Sequence, residues 1–221
     1  MNLKSLVLLI ALLSVTFYSC AQVAKKPFQD QIEEFKEDDK EQMPAKNSIL
    51  FVGSSSIRLW KNLDKDFEGY PVINRGFGGS GLDHATMYAD EIIIPYAPKQ
   101  IVIYSGENDI AGGKVNSGDV IYRFKTLFNK IRKALPETHI AYISMKPSPS
   151  REAFRPVIEE SNKLIREFLA KQPKTAYIDI YPLMLDENGK PRKELFVADN
   201  LHMNRKGYEI WKKAVEPVLM K

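Results

Sequence analysis

Apolar residues recur along this chain in two rhythms. Short apolar-rich runs at 49–52, 72–74, 101–104, 140–143 and 177–180 are the pattern of strands buried on both faces. Between them the apolar positions fall three and four apart. Phe28, Ile32 and Phe35 recur at that spacing among acids and lysines and predict an amphipathic helix that ends before Pro44. Val120, Ile121, Phe124, Leu127, Phe128, Ile131 and Leu135 share one face of a longer helix, with Ser117 placed to cap its start. A helix over about 156–171 turns Val157, Leu164, Ile165 and Phe168 inward. The last follows Asn204, a natural N-cap residue, and buries Tyr208, Trp211, Val215 and Val218. Strands alternating with helices predict one α/β domain with a parallel sheet covered on both sides.

The first residues follow another pattern. Lys4 precedes an apolar run over residues 6–13, and small or polar residues lead to Cys20. A charged start, an apolar stretch of about 7–15 residues and a small-residue end describe a secretory signal, too short to span a bilayer comfortably. With the cysteine at its end, the segment resembles a bacterial lipoprotein signal, in which Cys20 becomes the lipidated first residue. Phe17 stands where that pattern usually has Leu, and Ser19-Cys20-Ala21 also suits ordinary cleavage to a secreted protein. The expected organisation is a signal over 1–20, a tether and amphipathic helix over 21–45, and a catalytic-type domain over 46–221. The protein is expected to be exported and held at a membrane through Cys20, or otherwise periplasmic or secreted.

Composition narrows the function classes. The chain has 221 residues, 44% hydrophobic and 27% charged, with a net charge of +4 and scattered basic residues. That is globular composition with no basic run interleaved with aromatics, so no nucleic-acid partner is expected. One cysteine excludes an intramolecular disulfide framework. Three histidines, His84, His139 and His202, and acids without calcium-loop spacing yield no metal set, so neither metal nor cofactor is expected.

In a parallel α/β sheet, reactive groups belong on loops beyond the strands' C-terminal ends. Gly53-Ser54-Ser55-Ser56 follows the first apolar run, where a serine serves either as a helix cap or as a nucleophile. Gly76-Phe77-Gly78-Gly79-Ser80-Gly81 follows the second and fits a dinucleotide fingerprint literally. It follows the wrong strand, however, and no acid ends a strand about 20 residues later. Ser105-Gly106-Glu107-Asn108-Asp109 follows the third, where Asn108 either closes a turn or donates its amide to an oxyanion. Asp199-x-x-His202 precedes the last helix. That spacing lets a carboxylate orient an imidazole that takes up a proton, or marks a polar turn. His84 is a weaker alternative base, and His139 belongs to the surface beside a strand.

Taken together, the four segments resemble the four blocks of the SGNH, or GDSL-type, serine esterase family, over about Ser48 to the C-terminus. The resemblance implies a three-layer α/β/α, flavodoxin-like fold with strand order 2-1-3-4-5 and ester hydrolysis without a cofactor. It places the nucleophile at Ser55, the base at His202 and the orienting acid at Asp199. The oxyanion hole falls to the N–H groups of Ser55 and Gly79 and the side chain of Asn108. Ser54 stands where the family usually has Asp, which leaves three consecutive serines. Short loops with no long apolar insertion point to a small acyl group such as acetyl, on a small ester or an acylated carbohydrate. A non-catalytic ligand- or carbohydrate-binding lipoprotein on the same scaffold is the alternative.

Overall fold

The computed structural model describes residues 25–221. The signal-like segment and Cys20 lie outside the described residues. The chain begins with α1 (Gln29–Glu41) and continues through β1 (Ile49–Gly53), α2 (Ser55–Arg58), α3 (Leu63–Asp66) and β2 (Val72–Gly76). Next come α4 (Leu82–Met87), α5 (Ala89–Ile92), β3 (Gln100–Tyr104), α6 (Glu107–Ile110) and α7 (Ser117–Ala134). It closes with β4 (His139–Ile143), α8 (Arg155–Leu169), β5 (Thr175–Ile178) and α9 (Arg205–Val215). The strands form one parallel sheet in the order β2-β1-β3-β4-β5, as expected.

Side chains alternate across the pleat, so each apolar run feeds two cores at once. From β1, Leu50 and Val52 join Ile101 and Ile103 of β3 and Ile140 and Tyr142 of β4 against α1, α4, α5, α7 and α8. Ile49, Phe51, Val102, Tyr104, Ala141 and Ile143 face the other way, toward α2, α3 and α9. A register slip of one residue would exchange the two sets, which fixes the pairing of Phe51 with Val102. Each fully buried Leu, Ile or Phe contributes about 1.5–3 kcal/mol relative to exposure.

Three local expectations need correction. The last helix, α9, stops at Val215, so Val218 falls in a following 3-10 turn and is only half-buried. The cap of α7 is Asn116, not Ser117: Asn116 Oδ1 accepts from Asp119 N, and Asp119 Oδ2 accepts from Asn116 N. Ser117 is the first helical residue. The last strand spans 175–178, two residues earlier than its apolar run predicts. The reason is that β4 ends at Ile143, so Ile180 has no strand backbone to pair with. Its N–H instead donates to the Ser144 hydroxyl at 3.0 Å, while its side chain is fully buried. Apolar burial there continues past the end of the ladder.

The sheet order reverses direction between β1 and β3. The crevice beyond their C-terminal ends is where doubly wound sheets bind ligands. The segments carrying Ser55 and Asn108 both open into it.

Candidate active site

Gly53 ends β1 with φ +151°, and a Cβ there would lie 1.9 Å from the Tyr104 carbonyl oxygen. Only glycine lets β1 and β3 close to this distance before the chain turns into α2. Ser54 follows with its N–H donated to Tyr104 O at 3.1 Å, and the next residue, Ser55, starts the helix. Ser54 and Ser56 are buried at 4% and 2% exposure, and Ser56 O accepts from the Tyr208 hydroxyl. Ser55 is half-buried, and it is the serine whose Oγ meets the histidine.

His202 Nε2 lies 2.9 Å from Ser55 Oγ, and His202 Nδ1 lies 2.6 Å from Asp199 Oδ2. The turn that carries them is held by Val197 N donating to His202 O and by an antiparallel bridge between Phe196 and Met203. Asn204 then caps α9, accepting from Lys206 N, while its amide donates to Glu194 O and Phe196 O. Asp199 Oδ1 accepts from Leu201 N at 2.8 Å and His202 N at 2.9 Å. Burial opposes charge on this carboxylate, but the two N–H groups and the imidazole outweigh it and hold its pKa down at about 2. It is therefore ionised at any working pH and fixes the proton of the imidazole on Nδ1, leaving Nε2 to accept from Ser55. An imidazole so placed can take a hydroxyl proton while the carboxylate balances the resulting cation.

Gly79 sits at φ +83°, a conformation that favours glycine. Its N–H and that of Ser55 meet no acceptor among the described residues. Asn108 donates Nδ2 to Ser80 O at 3.0 Å, which ties α6 to the Gly79 loop rather than closing a local turn. One amide hydrogen of Asn108 remains free of that bond. His84, the alternative base, is engaged elsewhere: its Nδ1 accepts from Gly81 N at 3.0 Å. His139 is the half-buried first residue of β4.

Several supporting residues escaped the sequence reading. Directly beside Asn108, Glu107 receives Lys146 Nζ at 2.6 Å, the Tyr104 hydroxyl, and Ser148 Oγ at 3.2 Å, all buried. Burial, then Glu107, pushes the Tyr104 hydroxyl well above the ordinary tyrosine value, so it remains a donor. On the other flank Asp109 accepts from Leu82 N at 2.9 Å and Arg123 Nη1 at 2.8 Å. Ser150 N donates to Asn200 O, joining the loop after β4 to the Asp199 turn. The signal for Lys146 was present: it stands three residues past the fourth apolar run, in Ser144-Met145-Lys146, where reactive loops belong. Among the described residues, no group of three or more His, Cys, Asp or Glu is placed to hold a metal ion.

Residues 52–210 match the model of the GDSL-like lipase/acylhydrolase family, a span containing Ser55, Gly79, Asn108, Asp199 and His202. No curated protein sequence matches the chain. Among solved structures, one from Streptococcus pneumonia, provisionally described as a platelet activating factor, is 20% identical, covering 100% of both chains with a TM-score of 0.76. A GDSL-like lipase from Bacteroides thetaiotaomicron is 18% identical, covering 85% of this chain and 96% of its own, with a TM-score of 0.69. A carbohydrate esterase family 3 structure from Talaromyces cellulolyticus is 15% identical, covering 77% and 95%, with a TM-score of 0.62. At these identities the likeness is one of fold.

Proposed function

Because the chain belongs to the GDSL-like lipase/acylhydrolase family, a family of hydrolases, we propose that it is a serine esterase acting through an acyl-enzyme on Ser55. The observation that carries this reading is His202 standing between Ser55 Oγ and Asp199. His202 Nε2 takes the hydroxyl proton as Ser55 Oγ attacks the ester carbonyl, and Asp199 balances the imidazolium. The carbonyl oxygen becomes an anion, received by the N–H groups of Ser55 and Gly79 and by the Asn108 amide. Collapse expels the alcohol, which takes the proton from His202. Water then repeats the sequence, attacking the acyl group and releasing the acid.

The substrate class we infer is a short-chain ester, acetyl above all, carried by a small alcohol or a carbohydrate. Support comes from the connections around the crevice. One residue links β1 to α2, two link β3 to α6 and five link β2 to α4, too few on that side of the crevice to build an acyl tunnel. The longer segments after β4 and β5 are tied together by Ser150 N and Asn200 O around the Asp199–His202 turn. One relative of the same fold is a carbohydrate esterase. A serine-directed phosphonate followed by peptide mapping tests the reading. Labelling of the peptide bearing Ser55 is expected, and an unlabelled but folded protein would overturn it.

Cys20, with the signal-like segment before it, supports export and anchoring at a membrane through that residue. Fractionation of cells expressing the wild type and Cys20→Ala tests this. Equal solubility of the two, with a mature chain starting after Ala21, would sink the anchor.

A further inference from the structure

We infer that helix α1 and Phe28 at its N-cap, which lie before the family-matched span, are part of the active site, with Gln31 and Phe28 acting as positioning residues for the Gly78–Gly79 turn. The inference rests on the reading of Gly79 N–H as an oxyanion donor. Gln31 faces both backbone groups of Gly78. Its Oε1 accepts from Gly78 N at 2.8 Å, and its Nε2 approaches Gly78 O at 3.5 Å, so the first contact is the strong one. The next peptide carries the Gly79 N–H, which has no acceptor among the described residues. Gly78 O shares its planar peptide with Gly79 N–H, so Gln31, by meeting both the N–H and the carbonyl of Gly78, restrains the two dihedrals that aim the Gly79 N–H.

Phe28 covers the opposite aspect of the turn. Its Cε1 lies 3.5 Å from the position a Cβ on Gly79 would take, and its ring packs edge-on against Phe77 at the start of the loop and His84 in α4. Phe28 itself adopts φ +64°, an uncommon conformation for an aromatic residue. Such conformations persist only where the surroundings dictate them, and they gather at functional sites. Here Tyr88 donates its hydroxyl to Pro27 O at 2.6 Å and pins the turn.

The rest of α1 anchors without these two residues. Ile32 is buried in the core, Asp39 pairs with the largely buried Arg75 and accepts from the Tyr96 hydroxyl, and Lys36 pairs with Glu91. Gln31 is therefore free to serve the loop, and its removal should leave the helix docked. A single oxyanion donor is worth about 10²–10³ in kcat, so a donor present but misaimed should lose part of that.

The test compares the wild type, Gln31→Leu and Gln31→Glu on an aryl acetate, with thermal melts to establish folding. Gln31→Leu is expected to lower kcat by about 10- to 100-fold while KM stays within about twofold, the mark of an interaction felt in the transition state. Gln31→Glu keeps an acceptor for Gly78 N and is expected to retain most of the wild-type kcat above the carboxylate range. Gln31→Leu with kcat within about twofold of wild type would overturn the inference and leave the esterase reading intact. Wild-type protein without Ser55-dependent hydrolysis would overturn both. If Gln31→Leu melts early, Phe28→Leu is judged by the same kcat and KM thresholds.

Discussion

Asp66 accepts from both terminal nitrogens of Arg205, each at 2.6 Å, and from Trp60 Nε1 at 2.7 Å. This contact joins α3, which follows the Ser55 helix, to the first residue of α9, three positions after His202. The two halves of the site are thereby held across 139 residues of sequence. The Arg205 hydrogen bonds, against the cost of burial, lower the Asp66 pKa below the usual 3.8. A depressed carboxylate stabilises the fold above its unfolded value and loses that contribution as pH falls through the folded one.

Asp66→Ala should therefore destabilise the protein, since it leaves the buried Trp60 N–H without its acceptor, at a cost of about 1–3 kcal/mol. For a domain of this size that lowers Tm by about 2–12 °C. The deficit relative to wild type should be full at pH 7 and shrink below about pH 4, where the unfolded carboxylate binds its proton. Thermal melts of both proteins from pH 3 to 7 check it, and a pH-independent difference would count against the ion pair.

Of the three adjacent serines, Ser55 alone should be indispensable. Ser55→Ala is expected to lower kcat by at least ~10⁴, whereas Ser54→Ala and Ser56→Ala stay within about tenfold when folded. Asn108→Ala should cost about 10²–10³, as loss of one oxyanion donor does. Turnover of an acetyl ester by the four variants, each checked by circular dichroism, decides the register.

The acid limb of kcat/KM should titrate a single group. With its pKa held down at about 2, Asp199 keeps its charge throughout the assayed range and adds no second step to this limb. Activity should rise with pH along a line of slope one in log kcat/KM. A slope of two between about pH 4 and 7 would mean that a second group must ionise.

The buried Lys146–Glu107 pair predicts an asymmetry between single and double variants. Lys146→Met strands a buried carboxylate beside Asn108 and should cost about 3–5 kcal/mol. Glu107→Gln combined with Lys146→Met removes both charges and should recover much of that loss. Urea unfolding of the two proteins measures the difference, and equal midpoints would show that the pair is not coupled.

Acyl preference should fall steeply beyond about four carbons, as kcat/KM on aryl esters of increasing length would report. Higher efficiency on eight- or ten-carbon esters, of the order that needs a long pocket, would refute the short-connection reading.

The strands and long helices were legible because their signal is local. Val120, Phe124 and Ile131 announce α7 by spacing alone, and each apolar run announces a strand whose faces the pleat then sorts. The apolar run overshoots the last strand because apolarity reports burial, not pairing, and Ile180 is buried beyond its ladder. Asn116 and Ser117 are equally good capping residues, and only the backbone decides which of the two neighbours stands outside the helix.

By itself the sequence determined a parallel α/β domain and the order in which a serine, a glycine loop, an asparagine and an Asp-x-x-His turn meet its strand ends. Those features are written in periodicity and in short spacings. The tertiary structure decided which serine faces the histidine, since Ser55 and His202 stand 147 positions apart. It also decided that Gln31 reaches Gly78 across 47 residues and that Lys146 is buried against Glu107 across 39. A polar residue is assigned its partner only when the packed sheet excludes water and leaves it one place to satisfy its hydrogen bonds.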